Sequence, residues 1–271
     1  MREREVYPYA PIVLVAVEVR HSLCEPLGPS GLSRINRALA NHLPLRSEVQ
    51  NLTLAFQAGS SPQAQGGTFP RWSSRDKRSA VTVRTDALMV ETTDYHQYEK
   101  VREILELVLN ARTASAGEVG VERVGLRYID EIRVPTDDGD SGTTWSEWVH
   151  KSLLGPAPEV GGPQDLSAGL KLSQQQGFAM FLGEDDQALG LRYGPQAGHA
   201  TESTPDLRRP MPPPGPYFLL DIDSFWQPSQ IVPRLETDRV LGIADRLHTP
   251  VREIFESLIS ERLRKEVLRG E

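Results

Sequence analysis

The chain has 271 residues, 38% of them hydrophobic, with a formal net charge of −7, one cysteine and six histidines. That length buries a real core without covalent help, and a lone thiol can neither bridge within the chain nor begin a zinc motif. The acidic balance argues against a dedicated nucleic-acid binder, while the mixed-charge start Met1-Arg2-Glu3-Arg4-Glu5 and a longest apolar run of only 12–17 predict a cytoplasmic chain without a membrane span.

The first element is a β-branched strand at 12–20, nearly continuous in apolar residues until Glu18 and Arg20. Ser30 or Ser33 is positioned to cap a helix running through Ile35, Leu39 and Leu43 until Pro44 stops it. Leu52, Leu54 and Phe56 alternate as in a half-buried strand, and 58–65 is a loop by composition. Residues 69–72, a charged turn at 74–77 and strands at 80–84 and 87–91 form a meander. The spacing of Val101, Ile104, Leu105, Val108 and Leu109 predicts an amphipathic helix over 96–110.

A long strand follows at 121–134, closed by Pro135 and the acidic turn 137–140. Trp145, Trp148 and Val149 suggest a short helix at 145–154, and the Gly and Pro cluster at 155–163 a long loop. Strands are expected at 168–174, 177–182 and 188–193, then an extended polyproline-like loop at 194–216 and a strand at 217–222. The stretch 236–268 is helical, with Pro250 fitting the first turn of a second helix whose face is Val251, Ile254, Phe255, Leu258, Ile259 and Leu263.

An internal echo runs through this order. Val17-Glu18-Val19-Arg20 resembles Asp130-Glu131-Ile132-Arg133, and the strand end 89–95 resembles 219–225. The hexamers 101–106 and 251–256 agree at five of six positions. The expected fold is therefore α+β, with two diverged strand–helix–meander–helix repeats, 1–118 and 119–271, either separate or one continuous domain. Their long helices would pack across curved antiparallel sheet.

No nucleophile elbow, phosphate loop or zincin motif is present, so no catalytic residue, metal ligand or cofactor is assigned. Cys24 reads as a small rim residue, and His96 with Glu99 as a solvated first helical turn before a metal pair. Asp221 and Asp223 share a strand face, where a polar strand end is a better reading than a shared cation. The one dense basic cluster holds Arg71, Trp72, Arg75, Lys77, Arg78 and Arg84, with Arg127 and Arg133 alternating on a strand nearby. Trp72, Arg75, Arg78, Arg84, Arg127 and Arg133 are thus the candidate surface for an acidic or phosphate-bearing partner; the competing reading is an edge hairpin kept soluble by charge.

Trp72-Ser73-Ser74 with the following Asp76, Tyr95, the segment from Val124 through Gly125-Leu126-Arg127-Tyr128-Ile129-Asp130 to Ile132, and the closing helix around Leu247-His248 together resemble a sporadically distributed family of prokaryotic proteins of about this size. Members of that family commonly carry Asn where Asp130 stands, and the family contributes no catalytic residues. Its patchy distribution implies an accessory gene, of the defence or toxin–antitoxin kind. The resulting expectation is a non-enzymatic binding or adaptor protein with a protein partner, a homo-oligomeric state or an anionic ligand, nucleic acid being less favoured. The alternative is a metal-independent RNA- or nucleotide-processing enzyme using Arg127, Tyr128 and a histidine.

Overall fold

The structure, a computed structural model, describes residues 6–50, 67–115, 119–135, 144–156 and 174–271. The chain begins with β1 (Ile12–His21), α1 (Pro29–Leu39) and β2 (Leu45–Gln50), then β3 (Thr68–Ser73), β4 (Ser79–Val83), β5 (Ala87–Thr92) and α2 (Tyr98–Thr113). After it come β6 (Val121–Ile132), β7 (Gly177–Leu182), β8 (Gln187–Gly198), β9 (Gly215–Trp226) and α3 (Thr237–Leu258). The nine strands among the described residues form one sheet, in the order β2-β3-β4-β5-β1-β6-β9-β8-β7, and every neighbouring pair is antiparallel. The fold is α+β, and the sheet runs without interruption across the expected boundary at 118/119, because β1 and β6 pair at its centre.

Alternation along the strands sorts the side chains. The register aligns Trp72, Val81, Val90, Val17 and Leu126 across five strands, so these residues share one face, and all five are almost wholly buried. This is the face the helices cover. The Trp72 indole donates to Asn36 of α1, α2 lies against β5, and α3 lies against β6, β8 and β9. The helix faces are apolar at matching positions: Ile35 and Leu39 on α1, Val101, Leu105, Val108 and Leu109 on α2, Val240, Leu241, Ala244 and Leu247 on α3.

The opposite face is knitted by ion pairs. Arg71 reaches Glu91, Arg123 bridges Glu18 and Asp223, and Arg127 grips Asp221 with both ends of its guanidinium at 2.6 Å.

Several boundaries differ from those the pattern suggests. A strand begins at Leu45, directly after Pro44; the positions Leu52, Leu54 and Phe56, the turn 137–140 and almost all of 168–174 lie outside the described residues. α1 starts at Pro29 with Gly28 as its N-cap and no side-chain cap, so neither Ser30 nor Ser33 fills that role. Proline's fixed φ suits a first turn and its missing N–H costs nothing there. The expected helix at 145–154 is instead two 3₁₀ turns, Trp145–Glu147 and Lys151–Leu153, because Val149 between them bridges to Ile259. Pro250 sits inside α3, and the helix ends at Leu258, where Ile259 turns extended before a π-helical turn at Leu263–Arg269. The strand at 188–193 runs on to Gly198, which shortens the proline-rich loop to 199–214. That loop is pinned, since Arg209 and the Ala200 N–H both bond Glu131. No helix among the described residues is long and apolar enough to cross a membrane.

Ile104 and Ile254 are only partly buried, whereas Leu105 is wholly buried between α2 and the sheet. Leu105→Ala should therefore cost about 2–5 kcal/mol in urea unfolding, by lost transfer energy and a residual cavity. Ile104→Ala should cost clearly less; equal losses would show that the α2 face is rotated.

Candidate functional site

The even-numbered residues of β6 from Val124 to Ile132 point toward the helices, and two of them are polar: Tyr128 and Asp130. They stand where α2 begins and α3 passes over the sheet, beside a cavity of about 370 Å³. Tyr95, in the connection from β5 to α2, and His248 of α3 close over Tyr128. The Tyr128 hydroxyl donates to Tyr95 Oη at 3.2 Å and lies 3.2 Å from His248 Nδ1. Tyr98, the first residue of α2, stacks on the His248 ring with centroids 4.2 Å apart and planes 8° from parallel. Its hydroxyl donates to Asp245, which Arg102 also holds. Each ring is thus fixed by two contacts or more, and the imidazole is held in one orientation.

Electrostatics in this cluster follow from burial. Desolvation, helped by Asp245 next to Tyr98 and by Tyr95 next to Tyr128, pushes both phenols far above their ordinary range, so both remain protonated donors. Asp130 differs from its neighbours. It is fully buried, its Oδ1 has no hydrogen-bond partner, and no described group donates to the carboxyl at all. Burial first, and the nearby Asp221 carboxylate second, raise its pKa to about 8. A buried polar group without a partner costs free energy that folding alone does not recover, and such groups concentrate at sites built for something else.

The residues singled out from the sequence do not assemble into one surface. Trp72 is 1% exposed under α1, so its ring offers no stacking platform. Arg127 and Arg133 lie on the helix-free face, where Arg127 is bound to Asp221 and Arg133 to Glu131 and the Gly198 carbonyl. Arg84 is folded back on Asp86. Arg75 is exposed in the β3–β4 turn, and Arg78 pairs with Asp94 at the rim of the cavity. Trp72 thus lies on the helix-covered side and Arg127 and Arg133 on the other, so the six side chains do not share one face. The Arg127, Tyr128 and histidine trio is likewise split: Tyr128 meets His248, while Arg127 points through the opposite face.

Asp221 and Asp223 each pair with an arginine, Arg127 and Arg123. His96 lies before the first residue of α2, exposed, near Asp94. Cys24 donates to the Thr85 carbonyl and accepts from Arg112. Among the described residues no three His, Cys, Asp or Glu side chains are grouped to hold a metal ion. Sequence reasoning missed Asp130 as a site residue. Its signal was an acid on the apolar phase of a strand, between Tyr128 and Ile132. No protein-family model and no curated protein matches the chain.

Asp130 also makes a prediction about stability. Its folded pKa of about 8 lies above its ordinary 3.8, so above pH 4 the unfolded chain releases a proton that the folded chain retains. Stability attributable to this group therefore falls as pH rises from about 4 to about 8 and then levels off. Asp130→Asn removes the penalty: chemical unfolding should find the variant equal to the wild type near pH 4 and more stable by several kcal/mol at pH 8. A pH-independent difference would show that Asp130 is not the group that titrates.

Proposed function

We propose that this chain is a non-enzymatic small-ligand-binding protein whose site is the cavity between α2, α3 and β6. The observation that carries this reading is the buried Asp130 carboxyl, whose Oδ1 is left without a partner at the wall of a cavity that the hydrogen-bonded Tyr95, Tyr128 and His248 side chains also line. A mostly apolar hollow of a few hundred Å³ with a few convergent polar groups is the usual form of a small-molecule site. The anionic ligand expected from the basic cluster loses its support with that surface. The expectation of a protein partner or a second copy draws its support from β7, where Phe178, Phe181 and Leu182 are 59%, 50% and 83% exposed.

A second reading, acid–base processing of RNA or a nucleotide without metal, rests on His248 Nδ1 lying within hydrogen-bond reach of Tyr128. Incubating the protein with mixed-sequence RNA in a metal chelator tests it; cleavage lost in His248→Gln supports it, and intact RNA overturns it.

We also infer that the two halves descend from one duplicated unit. Outward from the centre the order β1-β5-β4-β3 parallels β6-β9-β8-β7, and a long helix follows β5 in one set and β9 in the other. The matched hexamers do not support this equally, since 101–106 lies near the start of α2 and 251–256 in the second half of α3. In place of α1 the second half has 3₁₀ turns.

Ile12 is half-buried at the cavity wall, so Ile12→Trp should fill the space without removing a polar group. Fragments found by ligand-observed NMR to bind the wild type should be lost in this variant. Fragments that bind both proteins equally would place binding elsewhere on the molecule.

A further inference from the structure

Resting on the cavity as the binding site, we infer that its ligand carries a protonated amine, which donates to the unpartnered Asp130 carboxyl while its carbon chain lies along the apolar wall. The charge balance of the lining favours a cation. Asp94, Glu99, Asp130 and Glu256 face Arg78 and Arg252 there, so carboxyl groups outnumber guanidiniums. Of the acids, Asp94 is engaged with Arg78, and Glu256 accepts from Tyr7 and Arg264. Asp130 alone of these four has no described partner. The start of α2 also opens here, and Glu99 in its first turn offsets the partial positive charge of that helix end.

Two kinds of group could satisfy Asp130. A neutral carboxyl can donate one hydrogen bond to an acceptor, whereas an ionised one accepts several and pairs with an ammonium. The acceptor alternative would bring an anion or a carbonyl against a lining already rich in carboxylates, with Asp221 close behind the sheet. An ammonium reverses this, because it offsets the acidic surroundings and makes the carboxylate form of Asp130 favourable. The phenol oxygens of Tyr95 and Tyr128 are able to accept further N–H groups. Ile12, Ile222, Val251 and Phe255 supply an apolar wall for a short chain.

The experiment titrates three probes of equal length, n-butylammonium, 1-butanol and butyrate, into the full chain. The readout is the ring-proton NMR signal of His248, assigned by its loss in His248→Gln. Butylammonium should shift this signal saturably, and Asp130→Asn, folded by circular dichroism, should bind it at least tenfold more weakly. Neither butanol nor butyrate should compete. If butanol or butyrate binds as well as butylammonium, or if Asp130→Asn leaves the butylammonium affinity unchanged, the amine assignment is overturned and the cavity stands as a site for other chemistry. If no probe moves His248 while fragments lost in Ile12→Trp still bind the wild type, the amine assignment alone fails. If those fragments too are absent, both readings fall.

Discussion

The antiparallel pairing of β1 with β6 at the centre of the sheet is the contact on which the rest of the molecule depends. Each of these strands is the inner edge of its own half, and each would expose a full row of backbone donors and acceptors without the other. Their union places Val15, Val17 and Val19 beside Val124, Leu126 and Tyr128, almost entirely removed from water. Burial of this order contributes about 1.5–3 kcal/mol for each large aliphatic side chain. Both long helices then lie on the same side of one sheet, α2 against β5 and α3 against β6, and they pack on each other there.

The two faces solve different problems. Under the helices, apolar residues interlock with little room for polar atoms. On the other face, arginines and acids alternate across strands, as in Arg123 between Glu18 and Asp223 or Arg71 between Thr82 and Glu91. Such pairs recover much of their desolvation cost through geometry and contribute little net stability, but breaking one partner leaves a charge stranded. They therefore fix strand register. That structural duty occupies the arginines dense in the sequence: Arg71, Arg78, Arg84, Arg127 and Arg133 each pair with a carboxylate.

On the helix-covered face a polar cluster gathers where α2 begins, and its members are unequal. Tyr95, Tyr98, Tyr128 and His248 satisfy one another or Asp245, so they are stable as a network without any ligand. Asp130, one pleat further along β6, is placed beyond reach of that network and retains a destabilising burial. A folded chain that carries an uncompensated acid beside an open cavity is less stable than it could be, and a partner brought from outside is the natural compensation. The same strand thus supplies core packing at Leu126, a rigid hydrogen-bonding wall at Tyr128 and an unsatisfied group at Asp130.

Local periodicity carried most of the element order. Alternation and β-branching mark β1, β4, β5 and β6, the 3.6-residue spacing of Val101, Leu105, Val108 and Leu109 marks α2, and one cysteine in an acidic chain rules out a disulfide framework. These are properties of neighbouring residues, and neighbouring residues determine them. The sheet order, the burial of Trp72 beneath α1, the capture of Arg127 by Asp221 and the meeting of Tyr128 with His248 are not of that kind. The last three join residues 36 to 120 positions apart, and a shift of one residue in the register of β6 would have exchanged Tyr128 and Asp130 for Arg127 and Ile129 at the cavity. Only the tertiary structure fixes that register, because it is chosen by the burial of the whole apolar face and not by any segment alone.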